Sequence, residues 1–85
     1  GFDGRFNDVL SIDVSNATNL ITLDLGANTT ITELDVSNNL LLETLNLAEC
    51  FFLTQLTFGN NAALETLSLR EAGTTTVDLS NLKNF

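Results

Sequence analysis

The side chains able to do chemistry in this chain are few, and most are carboxylates. Asp13, Asp35 and Asp78 each follow the first apolar residue of a similar stretch: Ile12-Asp-Val-Ser-Asn16, Leu34-Asp-Val-Ser-Asn38 and Val77-Asp-Leu-Ser-Asn81. Thr57 holds that place in a fourth stretch, Leu56-Thr-Phe-Gly-Asn60. Carboxylates stacked on one face repel, and calcium relieves such repulsion, but it asks for about six to eight oxygens. One carboxylate per stretch does not build that cage, so no metal site is assigned. Glycoside hydrolysis needs two acids across a cleft, and a flat sheet face is expected to offer none. The chain has no histidine, which removes the usual general base and the commonest zinc ligand. Cys50 is its one cysteine, so no internal disulfide forms. A reactive thiolate wants a nearby cation, and Glu49 is the opposite. Cys50 therefore reads as a buried thiol filling a turn. No catalytic residue, cofactor or metal is assigned, and the chain reads as non-enzymatic.

Asparagine is the other recurrent polar residue. Asn16, Asn38, Asn60 and Asn81 hold equivalent places at the exits of the four stretches. Stacked asparagines hydrogen-bond along a row and satisfy turn backbone groups, so this row is expected to be an internal structural ladder. Asn16-Ala-Thr18 and Asn28-Thr-Thr30 match the glycosylation acceptor pattern. With 11 asparagines in the chain, chance alone supplies about that many matches. Asn16 and Asn28 are weak candidates for that reason.

The elements that must position these residues are legible from a repeat. Ile12, Leu23, Leu34, Leu45, Leu56 and Leu67 are spaced 11 residues apart without a slip. A second apolar row lies two residues on: Val14, Leu25, Val36, Leu47, Phe58 and Leu69. A third is Leu20, Ile31, Leu42, Leu53 and Leu64. Val77, Leu79 and Leu82 repeat the pattern one residue early. Apolar-x-apolar spacing has the two-residue period of a strand, not the period of a helix. Halves ending in Asn alternate with halves such as Leu23-Asp-Leu-Gly-Ala-Asn28, Leu45-Asn-Leu-Ala-Glu-Cys50 and Leu67-Ser-Leu-Arg-Glu-Ala72. The full repeat is thus 22 residues in two halves. One unit cannot bury its apolar face alone, and stacking makes the core continuous. The expected fold is all-β, a right-handed β-solenoid of about four coils with two parallel sheets. Residues 1–85 form one domain: 1–11 a degenerate N-terminal half-repeat, 12–82 the regular repeats, and 83–85 a tail.

These residues resemble the leucine-rich repeat signature, L-x-x-L-x-L-x-x-N/C. Leu20-Ile-Thr-Leu23-Asp-Leu25-Gly-Ala-Asn28 and Leu42-Glu-Thr-Leu45-Asn-Leu47-Ala-Glu-Cys50 carry it, and Leu64 to Ala72 carries it with Ala last. The intervening halves are similar to the short bacterial subclass of surface and secreted proteins. The resemblance implies a leucine-rich-repeat-like solenoid, protein binding rather than catalysis, and an extracellular or cell-surface location.

One outward face carries Thr22, Thr44 and Thr66, then Asp24, Asn46 and Ser68, and beyond them Arg70. It is small, polar and nearly uncharged, and is the candidate binding face for protein or carbohydrate. The turn pairs Leu40-Leu41 and Phe51-Phe52 are apolar, and one of each pair is expected to face water. A count of 3 Lys+Arg against 11 Asp+Glu leaves a net charge of −8, which repels nucleic acid and anionic membrane. No apolar run reaches the ~18 residues of a membrane helix, so no membrane insertion is expected.

Two functions follow as expectations. The first is an interaction or scaffolding module. The alternative is a filament of like subunits stacked through the solenoid ends. Residues 1–11 and 77–85 are halves of different kinds, so a second copy after Phe85 continues the alternation almost in phase. The first residue is Gly1 rather than Met, as expected of a processed product or a fragment.

Overall fold

The computed structural model describes the backbone of Phe2–Asp3 and residues 12–74, 77, 79, 80, 82 and 84. Six short strands form, and no helix is present among these residues: β1 (Phe2–Asp3), β2 (Thr22–Asp24), β3 (Glu33–Asp35), β4 (Thr44–Asn46), β5 (Gln55–Thr57) and β6 (Thr66–Ser68). The fold is all-β. Its strands pair in parallel in two sheets, ordered β1-β2-β4-β6 and β3-β5. From β2 on, partners in both sheets are 22 residues apart: Leu23 lies against Leu45, Leu45 against Leu67, and Leu34 against Leu56. β1 joins β2 with Phe2 against Leu23, one residue short of that spacing.

Strands β2 to β6 are three residues long, and in β2, β3 and β4 the third residue ends the strand. The carboxylate of Asp24 accepts the Gly26 N–H at 3.0 Å, and that of Asp35 accepts the Ser37 N–H at 2.8 Å. The Asn46 side chain accepts the Ala48 N–H at 3.0 Å. Asp13 does the same for Ser15 at 2.9 Å. Such local bonds compete with the sheet ladder and turn the chain. The fifth strand ends in Thr57, and there the Asn61 side-chain oxygen takes the Gly59 N–H instead. After β2, β4 and β6 the turn passes through Ala27, Glu49 and Glu71 with φ of 61°, 63° and 59°. This left-handed region is costly for residues with a Cβ.

The core is built from the three apolar rows. Leu23, Leu34 and Leu45 are buried, as are Leu25, Val36 and Leu47, and Ile31, Leu42, Leu53 and Leu64. Leu56, Leu67, Phe58 and Leu69 are partly buried against them. Corners pack backbone on backbone. A Cβ on Gly73 would stand 2.3 Å from the Phe51 carbonyl oxygen and 2.8 Å from that of Leu53, so only glycine fits there.

The buried asparagine row is displaced by one residue from the expected one. Asn16, Asn38 and Asn60 are exposed, while Asn39 and Asn61 are fully buried, with Asn28 and Cys50 in the equivalent place of the other halves. The reason is the turn that follows the strand. It brings the fifth residue after the inward one back into the interior in four halves: Leu23 to Asn28, Leu34 to Asn39, Leu45 to Cys50, Leu56 to Asn61. Asn39 Nδ2 donates to the carbonyls of Val14 and Ala17, both at 2.9 Å. Both members of Leu40-Leu41 and of Phe51-Phe52 are exposed, because Leu42 and Leu53 already fill the inward place at those corners. Residues 4–11, Thr75, Thr76, Asp78, Asn81, Lys83 and Phe85 lie outside the described residues. The expectations on the Asn81 and Asp78 positions therefore fall there too.

Candidate functional site

The two sheets present different outer faces. On the larger sheet, parallel pairing sets Thr22 beside Thr44 and Thr44 beside Thr66, with Asp24, Asn46 and Ser68 in the next row. The expected binding-face residues are thus brought together. Much of their polarity is already engaged, however. Asp24 Oδ1 accepts from Asn46 Nδ2 at 3.0 Å as well as from the Gly26 N–H, and the Asn46 oxygen holds Ala48. Arg70, the one basic side chain among the described residues, meets Glu49 at 3.4 Å on the surface. Such an exposed pair is worth about 0–1 kcal/mol.

The smaller sheet is indented rather than flat, which corrects the expectation of a face without a cleft. A groove of about 320 Å³ crosses it. Ile12, Asp13, Ser15, Glu33, Leu34, Asp35, Asn38, Gln55 and Thr57 line it. The volume is at the lower end of the range of ligand sites, roughly 300–1,000 Å³. Three carboxylates line it and no basic side chain does. The groove arises because Ile12–Val14, which by the 22-residue register should pair with β3, forms no strand and no backbone hydrogen bond to it. The Val14 and Ala17 carbonyls are nevertheless tied down by Asn39. The segment is therefore held at its turn and apart from β3 along its length.

Two of the carboxyls in the groove are held toward their charged form. The Ser15 hydroxyl, then its N–H, hold the Asp13 carboxyl below its ordinary value of 3.8. Ser37 does the same for Asp35. A general acid needs the opposite shift. Among the described residues no group of three or more His, Cys, Asp or Glu side chains is placed to hold a metal ion. Cys50 is buried, its Sγ donates to the Leu25 carbonyl at 3.1 Å, and burial pushes its thiol up. An accessible thiolate is what reactivity requires, so this group is inert. Asn28 is also buried, its amide nitrogen donating to the Leu25 carbonyl at 2.7 Å, which withdraws it as a glycosylation acceptor in the folded chain. Asn16 is exposed.

Sequence reasoning noticed Asp13 and Asp35 but passed over Glu33, Gln55 and Ser15. Their signal is position: Glu33 and Gln55 stand one place before an inward leucine, hence outward on the same face. Compared with family models, with curated proteins and with solved structures, the chain has no match in any of the three.

Proposed function

We propose that this chain is a right-handed, leucine-rich-repeat-like β-solenoid of about four coils that serves as a non-enzymatic, extracellular module for binding another protein. The β3–β5 face is its contact surface. The observation that carries the reading is the groove of about 320 Å³ on that face, lined by Asp13, Glu33 and Asp35 and by no basic side chain. Support for the winding comes from the 22-residue register that both sheets keep from β2 on. Its right-handedness follows the rule for parallel crossover connections. The extracellular placement rests on the resemblance of Leu20–Asn28 and Leu42–Cys50 to the leucine-rich repeat signature.

Selection of displayed peptides on the immobilised chain, followed by amide chemical-shift mapping, tests it. Ligands of this module shift Ile12–Val14, Glu33–Asp35 and Gln55–Thr57. No enrichment over the bare support, or shifts confined to Thr22–Arg70, overturns the reading. Sedimentation at low and high salt separates it from head-to-tail assembly: a module stays monomeric in both, and ordered fibres speak for the filament.

A further inference from the structure

The groove contains an open strand edge. Successive residues of a strand send their backbone groups to opposite edges. At the two ends of β3 the Val36 N–H donates to the Thr57 carbonyl at 3.0 Å, and the Thr32 carbonyl accepts from Gln55 N–H at 3.3 Å. The even-numbered residues thus face β5, and the N–H and C=O of Asp35 face the other way, toward Ile12–Val14. Neither has a hydrogen-bond partner among the described residues. A single residue of an antiparallel strand exchanges both bonds with such a position. Around this edge stand the carboxylates of Asp13, Glu33 and Asp35, with no cation among the lining residues. The chain as a whole carries a charge of −8, so a second copy is repelled and a basic segment is drawn in.

We infer that the groove takes an extended, lysine- or arginine-bearing segment of another protein, which pairs with the free edge of β3 at Asp35 and sets its basic side chains among Asp13, Glu33 and Asp35. This rests on the proposed interaction module and names the chemistry of its partner. Strand addition of this kind draws affinity from main-chain bonds and selectivity from alternate side chains. Two terms therefore act at once: backbone pairing that charge does not supply, and charge attraction that salt screens.

The probe is a blocked octapeptide of alternating Lys and Thr, titrated into the isotopically labelled full chain. Expected are shifts centred on Asp35, and exchange of the Asp35 amide slowed at saturating peptide. Affinity should weaken by about tenfold or more when Asp13→Asn, Glu33→Gln and Asp35→Asn are combined. The Asn replacements keep an acceptor for the turn, as Asn46 does for Ala48, and circular dichroism checks that the variant folds. Glu65→Gln, exposed before the opposite sheet, should leave affinity unchanged. The same peptide N-methylated at alternate residues keeps its charge and loses its donors, and should bind about tenfold or more weakly. Equal binding of the methylated peptide, or shifts on the Thr22–Arg70 face, overturns edge pairing here. No binding at millimolar peptide also overturns it. The displayed-peptide selection decides the wider module separately, since it admits partners of any chemistry.

Discussion

The Asn61 amide nitrogen donates to the backbone carbonyl of Asn39 at 3.0 Å, 22 residues back in the chain. The same nitrogen also donates to the Val36 carbonyl at 2.9 Å. Both asparagines are fully buried, so each bond sits where water cannot replace it. Asn39 repeats the arrangement on Val14 and Ala17. On the β3–β5 side this makes the buried amides, rather than the exposed Asp13 and Asp35 carboxylates, side-chain links between successive turns.

Asn61→Ala should therefore destabilise by about 1–3 kcal/mol, because it removes two buried bonds, to carbonyls that keep only the Asn39 and Leu42 N–H groups, and leaves the Gly59 N–H without its acceptor. Asn60→Ala and Asn38→Ala, at exposed positions, should stay within about 0.5 kcal/mol. Urea denaturation of the three variants decides. A larger loss for Asn60→Ala than for Asn61→Ala would place the ladder back in the exposed row.

The displaced row shows what pattern reading can resolve. Leu23, Leu34 and Leu45 were legible as inward residues because a two-residue period with an 11-residue recurrence admits one phase. Asn38-Asn39 and Asn60-Asn61 are doublets, so either member satisfies a recurrence of asparagine. Only the count from Leu23 to Asn28 and from Leu45 to Cys50 separates them. The groove was not legible at all. Ile12-Asp13-Val14 has the same pattern as Leu34-Asp35-Val36, yet one pairs and the other does not. That difference depends on how distant segments settle against each other, and alternation within one segment does not carry it.

Leu45 is fully buried on the strand flanked by both β2 and β6. Leu45→Ala should cost about 2–5 kcal/mol, the range for large-to-small core changes. Leu56 is only partly buried and its strand pairs with β3 alone among the described strands, so Leu56→Ala should cost less. Thermal melting followed by circular dichroism ranks them, and equal melting temperatures would contradict the burial described here.

Glu71 is exposed and left-handed, with φ of 59°. Removing its Cβ relieves roughly 1–2 kcal/mol of strain, and the freer unfolded chain of a glycine takes back about 0.4–1 kcal/mol. Glu71→Gly should thus stabilise by up to about 1.5 kcal/mol. Glu71→Gln is the control: it removes the charge and keeps the Cβ. A gain in both variants would assign the effect to relief of charge repulsion, and a loss in Glu71→Gly alone would contradict the left-handed turn.

The last expectation concerns acid. In the folded chain the Asp35 carboxyl lies below its ordinary 3.8, first because the Ser37 hydroxyl and then because the Ser37 N–H hydrogen-bonds the charged form. Asp13 is lowered in the same way by Ser15. A carboxylate with a lowered folded pKa stabilises at pH above its unfolded value, and that contribution is lost as pH falls through 3.8 and on through the folded pKa. The whole-protein curve does not isolate this, because the net charge of −8 makes acid relieve self-repulsion at the same time. The difference between the native chain and Asp13→Asn/Asp35→Asn does isolate it. Asparagine accepts the turn N–H, as Asn46 does for Ala48, but cannot ionise. The native chain should melt higher than the double variant at neutral pH by a constant margin, and the margin should shrink once pH drops below 3.8. Melting curves of both proteins from neutral to strongly acidic buffer measure it. A margin that widens on acidification would mean that Ser15 and Ser37 do not favour the charged carboxylates, and the turn bonds assigned to them would have to be withdrawn.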